Sequence, residues 1–127
     1  MIKKQQKTIL IANKNPQKIK NTLLMLNHTP YKKLFTYSEN TFIKIIKKTP
    51  SIDLILLDIN LILNSSKNVF IQSLKINPNL KIIVTAQQKI KLLFQKQILF
   101  NAYEVILKPF DIDEVLTTIT KIIDKKN

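Results

Sequence analysis

Short apolar runs alternate with amphipathic stretches along the whole chain, and the period of the pattern switches between the two kinds of segment. The clearest run lies within residues 52–63, where a continuously apolar stretch ends in one carboxylate, Asp58. A stretch with no polar alternation reads as a strand covered on both faces, as in a parallel sheet. Strand-length runs are predicted at 8–12, 33–37, 53–57, 81–85 and 103–107. Between them lie helical patterns. Asn15 caps a first helix that has Pro16 at its first position and Ile19, Leu23 and Leu26 on one face. His28, Thr29 and Pro30 turn the chain; a second helix over 39–48 points Phe42, Ile45 and Ile46 inward, and Pro50 ends it. After a polar loop with Asn64, Ser65 and Ser66, a third helix bears Phe70 and Leu74 and stops at Asn77 and Pro78. A fourth is predicted over 88–100. The last begins with a capping-box pair, Asp111 and Glu114, and turns Ile112, Val115, Leu116, Ile119 and Ile123 inward at the 3.6-residue period.

Five strand-then-helix units in succession predict an α/β fold: a five-stranded parallel sheet with helices on both faces and right-handed crossovers. The doubly wound, flavodoxin-like (βα)5 order 2-1-3-4-5 suits five units. In that order strands one, three, four and five end on one edge, which brings together Asn13 with Lys14, Asp58, Thr85 and Lys108. A carboxylate after a strand can simply cap the following turn. Convergence of a carboxylate, a hydroxyl and two ammonium groups on one crevice points instead to a phosphate or carboxylate site.

Composition narrows the chemistry. A chain of 127 residues suits a single domain over 1–127, large enough to bury roughly two thirds of its unfolded surface. There is no cysteine, so disulfides and thiolate metal sites are excluded, and the lone His28 sits in a turn sequence. The absence of glycine removes any Gly-rich nucleotide cradle. No apolar stretch approaches the roughly 20 residues of a membrane span, and the segment after MIKKQQK is too short for a signal-peptide core, so a cytoplasmic protein without membrane association is expected. The formal charge is +13, yet every basic residue is lysine and the lysines are scattered over every segment. Nucleic-acid surfaces usually combine arginine forks with exposed aromatics, so nucleic acid is not the expected partner.

The segments ILIAN, LILLDIN, KIIVTA and VILKPFDIDEVL together resemble the receiver domain of bacterial two-component response regulators, from about Thr8 to Ile123. The last segment is the most specific: KPF followed by an acidic start to a helix, downstream of a strand-ending Asp and a Thr-Ala pair. The resemblance implies that Asp58 stands at the position accepting a phosphoryl group from a histidine kinase. It likewise makes Thr85 the hydroxyl that senses the group and Lys108 the lysine that pairs with it, with a cis peptide between Lys108 and Pro109. It implies a phosphorelay signalling module with no enzymatic activity beyond self-phosphorylation and dephosphorylation at Asp58. Its partners would be a histidine kinase or an output protein, with a weak homodimer through the predicted fourth helix (89–96 its lysine-rich part), the fifth strand and the last helix.

The family also implies Mg²⁺ held by an acidic pair after strand one, by the Asp and by a backbone carbonyl two residues later. Here the pair is Asn13 and Lys14, and Asn60 occupies the carbonyl position. Each unit charge about 5 Å away is worth on the order of 6 kcal/mol to a divalent ion at an effective dielectric of about 20, against about 4 kcal/mol for millimolar binding. The expectation is therefore a degenerate receiver with no cofactor or only weak Mg²⁺. Lys14 either pairs with Asp58 in the place of the cation or points to solvent. Ile62 and Leu63 replace the usual Pro-Gly pair, and Val105 stands where the family carries its aromatic switch; Tyr103 is not assigned that role. The reading from another class is a small flavodoxin-like enzyme or anionic-ligand-binding domain using the same crevice.

Overall fold

The computed structural model describes residues 6–62, 69–87 and 102–124. Five parallel strands, β1 (Thr8–Ala12), β2 (Lys32–Thr36), β3 (Leu54–Asp58), β4 (Ile82–Gln87) and β5 (Glu104–Lys108), form one sheet in the order 2-1-3-4-5. Four helices are described: α1 (Pro16–Met25), α2 (Glu39–Lys48), α3 (Val69–Ile76) and α4 (Ile112–Ile123). The helix expected over 88–100, the loop with Asn64, Ser65 and Ser66, and Leu63 lie outside the described residues.

The apolar runs become the central strands for the expected reason. β1 and β3 are buried along their whole length, because side chains on both faces meet helices. Alternation sorts them into two layers. Leu10, Ile55, Leu57, Ile82 and Val84 pack with Phe42 and Ile46 of α2 and Val69 and Phe70 of α3. Ile9, Ile11, Leu54, Leu56, Ile83 and Ile106 pack with Ile19 of α1 and Val115, Ile119, Ile122 and Ile123 of α4. β2 is an edge strand and reads accordingly, with Lys32 and Phe35 exposed. Asp53, just before β3, accepts from the Thr8 amide at 2.8 Å and fastens β1 to β3 at their N-terminal ends.

The Asn15 cap forms as the sequence predicts, and α2 has a side-chain cap that was not predicted. The Asn15 side chain accepts from the Gln17 amide with Pro16 at the first helical position, and the Ser38 hydroxyl accepts from the Thr41 amide. The capping box expected at the last helix does not form. Asp111 is the N-cap residue, but only its backbone carbonyl is used, by the Glu114 and Val115 amides. Ile112 is also not inward. It is 53% exposed, because at the first position of α4 it precedes the turn that faces the sheet. Ile45 and Leu116 pack at the margins of the two layers and not in their interiors. β2 begins one residue earlier than predicted; β3 and β5 begin one residue later and run one residue further, and β4 extends to Gln87, so Asp58, Thr85 and Lys108 are strand residues in their own right.

Phe42 is wholly buried, whereas Leu24 on the outer face of α1 is 62% exposed. Phe42→Ala should lose about 3–5 kcal/mol in urea denaturation, and Leu24→Ala less than about 0.5 kcal/mol; similar losses for both would contradict the layer assignment. A second expectation concerns Tyr31, whose phenol is raised above its ordinary 10.0 by burial first and then by the neighbouring Asp124 carboxylate, 3.3 Å from its hydroxyl. The folded state favours the protonated phenol, so its stabilising effect is complete below about pH 10 and is lost as pH rises through the raised folded value. Denaturation midpoints above pH 10 should fall more steeply for the native chain than for Tyr31→Phe.

Candidate functional site

Sheet geometry gathers the site. Asp58 is the register partner of Thr85, Thr85 of Ile106, and Lys108 lies two residues beyond Ile106. Side chains alternate with a period of two, so these three groups share the face that packs on α1 and α4. Asn13 continues the Ile9 and Ile11 stripe one step past β1, and Gln87 continues that of Ile83 and Thr85. Each apolar stripe on that face thus ends in a polar residue at the C-terminal rim of the sheet. This is the location at which open α/β sheets place ligands.

Asp58 is 4% exposed and Thr85 5%. The carboxylate is nearly saturated. Its Oδ1 accepts from the Asn60 backbone N–H at 3.0 Å, and its Oδ2 accepts from the Thr85 hydroxyl at 3.0 Å and lies 2.6 Å from Lys108 Nζ. The bond from Asn60 caps a short 3₁₀ turn, Ile59–Leu61, so the modest role of a turn cap and the convergent role coexist in one side chain. The Lys108 side chain is 29% exposed and brings its charge to the buried oxygen from the solvent side. The peptide between Lys108 and Pro109 is cis, as the resemblance implied.

The alternatives for Lys14 resolve geometrically. Lys14 is exposed, and the ion pairs of the described residues join Lys7 to Asp53 and Lys108 to Asp58, so the Lys14–Asp58 pair is not formed. The reason is local: Asn13 Oδ1 accepts from the Asn15 amide at 2.9 Å, a tight turn that leads directly into the Asn15 cap, and Lys108 already occupies Oδ2. Asn60 meets Asp58 through its amide, not its carbonyl. Val105 is half-buried, while Tyr103 is exposed just before β5 with Lys81 Nζ 5.9 Å from its ring centroid.

A cleft of about 890 Å³ opens over this rim, lined by Asn13, Lys14, Asp58, Asn60, Thr85 and Lys108 at its polar end. It continues along α1 past Lys18 and Thr22 to Met25, and past Phe110 and Ile112 to Val115. None of these further residues was assigned to the site from sequence, where Ile112 and Val115 are read as core positions. Lys18, Asn21, Thr22 and Met25 do recur at three- and four-residue spacing on one helix face, and Gln87 shares the parity of Thr85, which are signals a sequence can offer. Among the described residues no group of three or more His, Cys, Asp or Glu could hold a metal ion. The donor set at the rim, one carboxylate already engaged by an ammonium group with a carboxamide and a second lysine nearby, does not fit Mg²⁺. It suits an oxyanion, to which the ammonium groups of Lys14 and Lys108 can donate, the Thr85 hydroxyl already giving its one hydrogen to Asp58.

No family model and no curated protein sequence matches the chain. Solved structures do match. It is similar to a response regulator receiver domain protein from Methanospirillum hungatei JF-1, at 21% identity over 94% of this chain and 95% of that one, with a TM-score of 0.78. It is similar to a response regulator receiver domain protein from Clostridium thermocellum, at 18% identity over 93% and 94%, TM-score 0.80. A two-component response regulator from Clostridium difficile matches at 16% identity over 96% and 99%, TM-score 0.76. The chain has the flavodoxin-like fold of response regulator receiver domains.

The buried carboxylate makes the ion pair asymmetric. Lys108→Met strands Asp58 without its cation and should lose about 1–3 kcal/mol, below the usual range for a buried pair because Lys108 is partly solvated. The double variant Asp58→Asn/Lys108→Met should recover most of that loss. Chemical denaturation of the set checks this: equal stability of Lys108→Met and the native chain would mean that the pair contributes nothing to the fold.

Proposed function

We propose that this domain is a degenerate receiver: a two-component signalling module that keeps the phosphoacceptor position Asp58 with Thr85 and Lys108, binds Mg²⁺ poorly or not at all, and acts through protein contacts. The observation that carries the reading is the pairing of a buried Asp58 with Thr85 and Lys108 at the end of β3, beside a first-strand corner that bears Asn13 and Lys14. The trio supplies what an acyl phosphate requires. A carboxylate oxygen is the nucleophile, and an ammonium group and a hydroxyl stand ready to hold the transferred oxygens. The first-strand corner removes what ordinary receivers add, because two carboxylates that would draw a divalent cation are replaced by a neutral amide and a positive charge. With Asp58 against Lys14 and Lys108, the rim sums to one positive charge, a repulsive setting for a metal ion.

Under this reading Lys108 has the larger part. It stabilises Asp58 without any ion, so the conformation of the rim is set by the chain's own charges and does not wait for metal or phosphate. The signalling partner then recognises a surface whose shape is constant. Val105 in the switch position agrees with this, since no aromatic ring is available there to move between two packings when the rim changes. Enzymatic activity is confined, at most, to phosphoryl gain and loss at Asp58.

Titration with Mg²⁺ and beryllofluoride, followed by amide NMR, tests the reading. The native domain should show no saturable shifts around Asp58, Thr85 and Lys108, whereas Asn13→Asp/Lys14→Asp should gain Mg²⁺ binding with a dissociation constant of roughly 1 mM. Native shifts saturating at millimolar Mg²⁺ would make this an ordinary receiver, and a double variant that folds but ignores Mg²⁺ would remove the basis for the proposed metal position.

A further inference from the structure

The apolar position that the sequence pattern assigns to the interior, Ile112, stands half-exposed on the wall of the cleft. That wall is apolar, with Phe110 and Val115 beside it, while Ile11 and Leu56 of the sheet form the floor. The opposite wall is one face of α1 and grades from charge to hydrocarbon: Lys18, then Asn21 and Thr22, then Met25. At the rim Lys14 and Lys108 add their charges. Among the described residues Asp58 is the single acidic one lining the space, so their three ammonium groups against one carboxylate leave two positive charges. A volume of about 890 Å³ falls within the usual range for small-molecule sites, roughly 300–1,000 Å³.

We infer that the cleft between α1 and the start of α4 binds a small amphiphilic anion, an organic carboxylate, sulfonate or phosphate ester with an aromatic or aliphatic body. The body lies against Phe110, Ile112 and Val115. The anionic group is held at the α1 side by Lys14 and Lys18, where exposed ammonium groups have no carboxylate partner among the described residues. Both requirements come from the lining: an apolar ligand without charge leaves the lysines unanswered, and a bare inorganic anion leaves the Phe110 and Ile112 wall in water. The inference does not depend on phosphoryl chemistry at Asp58 and survives if that chemistry is absent.

The chain has two methionines, Met1 and Met25, so methyl-labelled methionine gives one reporter inside the cleft. The 127-residue chain titrated with 1-anilinonaphthalene-8-sulfonate should show a saturable shift of the Met25 methyl. N-phenyl-1-naphthylamine, the same rings without the sulfonate, should bind at least about tenfold more weakly. Lys14→Gln/Lys18→Gln should weaken the sulfonate by about tenfold, and Ile112→Asp should abolish binding with an unchanged denaturation midpoint. Lys47→Gln/Lys48→Gln, on α2 across the sheet, should bind like the native chain. The inference is overturned if the Met25 methyl does not respond, if the neutral probe binds equally, if the α2 variant loses as much as the α1 variant, or if Met25 shifts with protein concentration alone, which would mean that a second copy fills the cleft.

Discussion

Alternation along parallel strands is the constraint from which the site follows. In a sheet of order 2-1-3-4-5, the residues that end β3, β4 and β5 with the right parity must meet at one edge and on one face. Asp58, Thr85 and Lys108 obey that parity together with the apolar residues two positions before them, Leu56, Ile83 and Ile106, so one rule builds both the layer under α1 and α4 and its polar rim. A slip of one residue in β3 would turn Asp58 into the layer of α2 and α3, where Phe42, Ile46 and Phe70 leave no partner for a charge.

Placing a carboxylate at that depth is tolerable only because its lone pairs are met. A backbone amide, a hydroxyl and an ammonium group share the two oxygens, and the ammonium arrives on a side chain long enough to keep part of itself in water. The electrostatic character of the rim is decided by this pairing together with the residues after β1. Where two acids would make the crevice attractive to a cation, Asn13 spends its side chain on the turn into α1 and Lys14 adds positive charge. Among the described residues the crevice is lined by one carboxylate and three ammonium groups, with an apolar groove beside it.

The absence of glycine has a structural counterpart in how the turns are made. Asn13, Asn15, Ser38 and Asn77 fold their side chains back onto backbone amides two or three residues on, and Pro16 fixes the first turn of α1. Turns of this sort need no left-handed residue, so glycine is not required at these four positions.

Much was written in the sequence because it depends on local period and on chain order. The buried run ending at Asp58, the Asn15–Pro16 start of α1, the 39–48 helix and the five repeated units give the fold class and the strand order, and with the order comes the company of Asp58, Thr85 and Lys108. What the sequence could not decide are quantities that depend on distance between segments remote in the chain. Two lysines were available to Asp58, and only the packed rim selects Lys108 over Lys14, since one is held by β5 in register with Gln87 and the other follows a turn that carries it outward. The exposure of Ile112, the unused side-chain cap of Asp111 and the cleft beside α1 are likewise properties of how two helices sit on a sheet. Periodicity states which face of a helix is apolar, but where that face ends, and what space is left beyond it, is set by tertiary packing alone.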